Sequence, residues 1–398
     1  MSTIEGHEST GYHGIVWPLA VAQTLIWAFI YYSFPALILH FESDLGWGRT
    51  TVAGAFTLAL LLSALLAPYS GRLIDKGMGK QLLVGSGLAS AVLLALLSQV
   101  TAVWQFYAVW LALGAAMACG LYETCFAFLT RHMGEDNKRS ITHVALVAGF
   151  AGTVSFPLSN LLAGSIGWRD TVLVFATVLV VVQVPLSWFA GQRAEQRAPA
   201  GGVDGQSHSA HAREVIASGA FWLLAISFTC VAFNHGLLIT HLLPLLAEKG
   251  VATSLAVLAA SMIGPMQVLG RIVVAAFGAR ASSAVTLYAC FVGMIVGAIT
   301  LYFADAGLVP IAIFVALHGA GYGVTSIIRP VITAELLGRA NFGVIAGALA
   351  VPYMLGFAIA PTIASVIWQF SGYDLVIVVA GLCSVLGIVT LRMAIGKT

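Results

Sequence analysis

The chain has 398 residues, of which 60% are hydrophobic and only 9% charged. A soluble globular domain carries about 25% charged residues, so this composition excludes a soluble enzyme of comparable size. A net charge of +2 with no basic block argues against a nucleic-acid partner. At about 20 apolar residues per crossing, the apolar content fills roughly twelve membrane spans.

The first ten residues are polar, contain Glu5 and Glu8, and lack Lys and Arg. A secretory signal needs a basic start and a cleavage site, so the first apolar stretch is expected to be a retained span. Punctuation by polar residues, Gly and Pro predicts spans over 14–39, 51–70, 81–100, 104–129, 141–165 and 169–190 in the first half. The second half gives 218–246, 252–276, 282–303, 308–334, 342–369 and 373–394. Long apolar runs without strand-length alternation favour helices, because in lipid only helices and closed barrels satisfy the backbone. Between the halves, 191–217 is rich in Gly, Ala, Ser and charge. The expected fold is therefore an all-α membrane protein of twelve transmembrane helices in two six-helix bundles, 1–190 and 218–398, joined by a central cytoplasmic loop over 191–217.

Orientation follows from the basic residues. Fourteen of the 18 are assigned to one set of loops, adjoining span ends and tails, three (Arg49, Arg169, Lys249) to the other, and Arg329 is left within a span. Both termini are expected to be cytoplasmic, in a multi-pass cell-membrane protein. The halves also echo one another: Gly71-Arg72 after span two and Gly270-Arg271 at the end of span eight, Gly134 after span four and Gly338 after span ten. Similarity at a near-constant offset marks a duplicated transporter bundle. The five cysteines lie in apolar segments without a CxxC pair and read as small buried hydrophobes.

After span two the chain reads Gly71-Arg72-Leu73-Ile74-Asp75-Lys76-Gly77-Met78-Gly79-Lys80. Glycines here permit a tight turn, and Asp75 among Arg72, Lys76 and Lys80 can lock and release neighbouring helix ends. The stretch resembles the loop motif of the major facilitator superfamily, Gly-x-x-x-Asp-(Arg/Lys)-x-Gly-(Arg/Lys)-(Arg/Lys). Gly71, Asp75, Lys76, Gly77 and Lys80 match it, Gly79 departs from it, and the second-half copy GRIVVAAFGAR lacks the acid. More loosely, GYHGIVW at 11–17 and RSITHVALVAGFA at 139–151 are similar to the starts of spans one and five in monocarboxylate-porter-like members. The early Asp of the second pattern and the span-one Lys of animal lactate porters are absent.

The resemblance implies that spans one, four, seven and ten surround a central cavity. An ionisable side chain in a span costs about 2.5–3.5 kcal/mol on insertion scales, so the polar residues of those spans are the candidates. Span one offers an aromatic wall of Trp27, Tyr31 and Phe34, which share a helix face, or which simply pack. Span four carries Glu123, whose desolvation would favour protonation and hence proton coupling, or which forms a structural ion pair. In span seven, His235 could bind substrate or carry a proton, while Asn234 points elsewhere on the helix. In span ten, His318, Tyr322, Thr325 and Arg329 follow 4, 3, 4 spacing and form one polar stripe. Arg329 cannot discharge and matches a carboxylate bidentately. It either binds an anion or pairs with Glu123 as a gate. Gln267, Arg271 and His143 are secondary candidates.

These residues predict a secondary transporter, symporter or antiporter, of a small organic solute, with an organic anion favoured and a proton as coupling ion. Alternative cargoes are a planar aromatic vitamin or drug, or trivalent arsenic held by Cys119 and Cys125, since some similar bacterial porters export arsenite. A non-transporting membrane sensor is a further alternative. No Walker sequence is present and only one carboxylate is deep, so neither ATP drive nor enzymatic activity is expected. No cofactor or metal is expected; the partners are the substrate, the proton and the bilayer, with no nucleic acid. The protein is expected to be a monomer in a bacterial inner membrane.

Overall fold

A computed structural model describes residues 2–196, 209–277, 282–338 and 342–397, and among them no strand occurs. The chain divides into two compact units, Met1–Asp204 and Gly205–Thr398. The first contains α1 (Ser2–Ile26), a π-helical segment (Trp27–Tyr32), α2 (Ser33–Leu45), α3 (Arg49–Asp75), α4 (Gly79–Leu97) and α5 (Val103–Gly120). It continues with α6 (Tyr122–Met133), α7 (Asn137–Ala148), α8 (Ala151–Val178), a second π-helical segment (Leu179–Gln183) and α9 (Val184–Glu195). The second unit contains α10 (Ser209–Ala217), α11 (Gly219–Glu248), α12 (Thr253–Phe277), α13 (Ser283–Tyr302), α14 (Leu308–Leu337) and α15 (Phe342–Ile395).

Ten helical stretches among the described residues are long and apolar enough to cross a membrane. Two of them, Arg139–Glu195 and Ile345–Ile395, hold 57 and 51 residues. At 1.5 Å per residue each is more than twice as long as the ~30 Å hydrocarbon layer requires. Both break in the middle, at Gly167 (φ 82°) and at Ser371–Gly372 (φ −155° and 69°). Counted on either side of these breaks, the ten apolar stretches become twelve. The stretch assigned to the central loop differs in detail, because α9 runs on to Glu195 and Ser209–Ala217 is helical.

Within each unit, glycine lets two helices touch backbone to backbone. A Cβ on Gly114 of α5 would lie 2.7 Å from Ala59 Cα of α3, and one on Gly323 of α14 would lie 2.5 Å from Gln267 Cα of α12. The two contacts occupy corresponding places in the two halves, span two against four and span eight against ten.

A second correspondence lies at the ends opposite the basic loops. In the first unit, Asp44 accepts from Trp168 Nε1 at 3.0 Å and pairs with Arg169 at 3.2 Å, while Arg169 donates to the carbonyls of Ser98 and Val100. In the second, Glu248 accepts from Trp368 Nε1 at 2.6 Å and from the Tyr373 amide, while Lys249 pairs with Asp374 and donates to the Tyr302 carbonyl. Each unit thus ties the end of its first span to two of its own turns. The Glu248 carboxylate is solvent-facing, so Glu248→Ala is expected to cost about 1 kcal/mol, read as a small fall in melting temperature, with Glu248→Gln recovering part of it.

Candidate functional site

In the second unit the structure brings together residues from α11, α14 and α15. His235 Nδ1 and His318 Nε2 lie 3.0 Å apart and share one hydrogen bond. The His235 ring stacks on Tyr322 with centroids 3.5 Å apart. The Tyr322 hydroxyl meets that of Tyr353 at 3.1 Å, and the Arg329 guanidinium lies over the Tyr353 ring at 4.2 Å. The 4, 3, 4 stripe of α14 therefore exists, but it grades from enclosed to open. His318 and His235 are buried, Tyr322 and Arg329 half-buried.

Arg329 borders a cleft of about 30 Å³ lined by Phe228, Val231, Thr325, Ser326 and Tyr353. That volume takes one or two waters, or a single carboxylate group, rather than a whole organic solute. Among the described residues of its own unit, no carboxylate lies within ion-pair distance of Arg329. Tyr353 and Phe357 were not legible as site residues, because they lie on span eleven, outside the four spans the resemblance singled out. Asn234 faces the other way, as its position beside His235 requires. Its Nδ2 donates to Ala380 O at 2.6 Å and to Ser384 Oγ at 3.1 Å, so it fastens α11 to the last span. Gln267 carries the close contact with Gly323, and Arg271 Nε donates to the Gly323 carbonyl at 3.1 Å. Both are committed to helix packing.

In the first unit two irregular segments meet. Span one passes through the π-helical turn Trp27–Tyr32, a local geometry frequent at functional sites. Span four is interrupted at Leu121, whose backbone is extended (φ −84°, ψ −166°). Side chains support the interruption: Gln23 Nε2 donates to Gly120 O at 2.8 Å, Thr124 Oγ1 to Ala118 O at 2.7 Å, and Ser86 Oγ to Ala116 O at 2.8 Å. Tyr122 and Glu123 thereby occupy the first turn of α6, where the helix dipole favours negative charge.

The Trp27 ring lies 4.7 Å from Tyr122, 5.1 Å from Tyr31 and 6.4 Å from Tyr32. Tyr122 stacks on Phe126. Trp27, Tyr32, Tyr122 and Phe126 are half-buried and form an open aromatic wall, whereas Tyr31 is buried behind it. Phe34, expected on this wall, is fully buried and stacks on Phe56 at 4.3 Å. The π-turn rotates it away. Glu123 is exposed rather than enclosed by its own unit.

In the loop after span two the helix is closed by backbone bonds, and two of the motif's cations have partners outside the motif. Gly77 has φ 87°, and its amide and that of Met78 bond back to Ile74 and Leu73 carbonyls, closing α3. Lys80 pairs with Glu195 at 2.5 Å and lies over Trp188. Arg72 lies over Tyr69. The side chain of Asp75 lies outside the described residues, as do 278–281 of the second copy. Cys119 and Cys125 stand on either side of the break in span four, and Cys125 is buried beside Phe128 and Leu129. Among the described residues no cluster of three metal-ligating side chains occurs.

Two units, each built from long apolar helices with matched internal contacts and irregular segments, define a duplicated polytopic α-helical membrane protein. Residues 19–351 match the family model of the Major Facilitator Superfamily, and the chain belongs to that family. Curated relatives include multidrug resistance protein MdtG of Dickeya zeae, 27% identical over 141 residues (35% of this chain, 34% of the relative). MdtG of Yersinia enterocolitica is 28% identical over 135 residues (34% and 32%), and that of Citrobacter koseri 25% over 164 residues (41% and 38%). The chain thus spans about a third of the length of the relatives it matches.

Proposed function

We propose that the protein is a secondary transporter of small organic anions, which it binds at Arg329 and moves by alternating access with proton coupling. The observation that carries this reading is the guanidinium of Arg329, which no carboxylate among the described residues of its own unit approaches within ion-pair distance, held over Tyr353 beside the Thr325 and Ser326 hydroxyls in a cleft of carboxylate size. A fork of N–H donors with hydroxyl neighbours suits a carboxylate or phosphonate group. The His235–His318 pair, connected to Arg329 through Tyr322, which stacks on His235, and Tyr353, whose hydroxyl meets that of Tyr322, offers a proton site next to the anion site. Exposed Glu123 is the second proton candidate.

Tyr353→Ala removes the ring beneath Arg329 and is expected to weaken anion affinity by roughly 3- to 30-fold, the range of a cation–π contact. Tyr353→Phe keeps the ring and is expected to stay within about threefold. Equilibrium binding of aliphatic and aromatic monocarboxylates to purified protein measures both.

A second reading is supported by the open wall of Trp27, Tyr32, Tyr122 and Phe126 and by the multidrug name of the relatives. On that reading a planar aromatic drug stacks in the first unit. Uptake of both classes into liposomes, with and without a pH gradient, separates them. Gradient-driven carboxylate accumulation that fails in Arg329→Ala supports the anion. Accumulation of aromatic solutes alone, insensitive to Arg329→Ala, supports the drug. A bacterial inner membrane with both termini in the cytoplasm is the setting proposed for either.

A further inference from the structure

The two units repeat a small arrangement that the transport reading does not use. Gly14-Ile15-Val16-Trp17 begins the first span of one unit, and Gly219-Ala220-Phe221-Trp222 begins that of the other. In each, a cation from the end of the unit's last span lies across the glycine. Arg193 Cδ and Cζ would be 3.1 Å from a Cβ on Gly14, with Nη1 overlapping it, and Lys397 Nζ would be 2.7 Å from a Cβ on Gly219. Each cation thus rests by the far end of its side chain on the open backbone of the glycine. The tryptophan one turn further in is exposed in both, Trp17 at 45% and Trp222 at 53%.

Among the described residues, the cations at these places are not paired with acids. Arg193 lies over Phe189 at 4.2 Å, Arg139 lies over Tyr12 at 5.1 Å, and the nearby acid Glu195 is taken by Lys80. No acid pairs with Arg193, Arg139 or Lys397 among the described residues. Lys397 lies at the N-terminus of α11, capped by Ser218. A helix N-terminus carries partial positive charge and disfavours a cation, so an anion between the two would relieve the repulsion. Exposed tryptophan is the side chain that settles at the headgroup level of a bilayer. Basic pockets between span ends on the cytoplasmic side are places where anionic lipid headgroups bind.

We propose that each unit binds the headgroup phosphate of an anionic phospholipid at this glycine–cation–tryptophan element, Gly14, Arg193 and Trp17 in one and Gly219, Lys397 and Trp222 in the other. The proposal is independent of the transported solute. Native mass spectrometry of the detergent-purified full chain, titrated with phosphatidylglycerol and with phosphatidylcholine, tests it. Wild type is expected to retain two phosphatidylglycerol molecules at least tenfold more strongly than phosphatidylcholine. Arg193→Gln and Lys397→Gln should each lose one, their combination both, and Arg193→Lys should keep its lipid. Retention of both lipids by the double variant, or equal retention of the two lipid classes by wild type, overturns the proposal. So does equal competition by soluble glycerol phosphate, which would mark a free-phosphate site. Wild-type tryptophan fluorescence gives a check that needs no stable variant at the cations. Brominated phosphatidylglycerol should quench more than brominated phosphatidylcholine, with the excess lost in Trp17→Phe/Trp222→Phe; equal quenching counts against the site.

Discussion

Arg329→Ala is expected to weaken anion binding by roughly 10- to 100-fold and to abolish concentrative uptake of carboxylates while leaving the protein folded. The magnitude follows from losing hydrogen bonds to a charged group, about 1.5–3 kcal/mol, at 1.4 kcal/mol per tenfold. Folding should survive because Arg329 is half-buried and its contact is with the face of Tyr353, not with a buried acid that would be left unpaired. Arg329→Lys keeps a charge but loses the planar fork and should fall between wild type and alanine. Binding isotherms together with liposome uptake decide the matter. Full uptake by Arg329→Ala would remove the residue from the substrate site.

Gly114→Val and Gly323→Val are expected to be the most damaging single substitutions for stability. Overpacking a tight interior by a methylene or two costs typically 1–3 kcal/mol. Here the added atoms would meet backbone, Ala59 and Gln267, which cannot swing aside as a side chain can. Two helices must move apart, so several kcal/mol is the expected scale, a large share of the 5–15 kcal/mol that holds a folded protein together. Melting of the detergent-solubilised variants should fall sharply, with the alanine versions intermediate. Gly85 has open space where its Cβ would be, and Gly85→Ala should stabilise slightly, as alanine does in a helix. Equal loss at Gly85 and Gly114 would refute the packing account.

The fold was legible because its cause is solvent: apolar run length and basic-residue placement state how often a chain crosses a bilayer. The breaks were harder. Gly167 and Gly372 are small residues among many, and only their positive φ distinguishes them. The interruption at Leu121 left no mark in composition, since it is sustained by Gln23, Ser86 and Thr124, side chains from three helices. Periodicity sufficed to single out His235, His318, Tyr322 and Arg329, and the structure brings the two helices that carry them into contact. Tyr353 was missed because proximity to Arg329 comes from a third helix. The partnership of Lys80 with Glu195 was missed for the same reason: motif spacing reports neighbours in sequence, and this pair is 115 residues apart.

The π-turn at Trp27–Tyr32 also sets the phase of span one. One extra residue in a helix rotates everything after it by about 100°. Below the turn, that rotation is what puts Phe34, Leu37 and Phe41 on the buried face, with Phe34 against Phe56 and Trp110. The span is two helices of different register spliced end to end, the first burying Ile15, Val16, Leu19 and Ile26 and the second Phe34, Leu37 and Phe41, with the aromatic wall at the junction. Removing a single residue from 27–32 would regularise the helix and turn the core half outward, although every side chain of that half would be unchanged. Length, at this one place, carries as much information as residue identity.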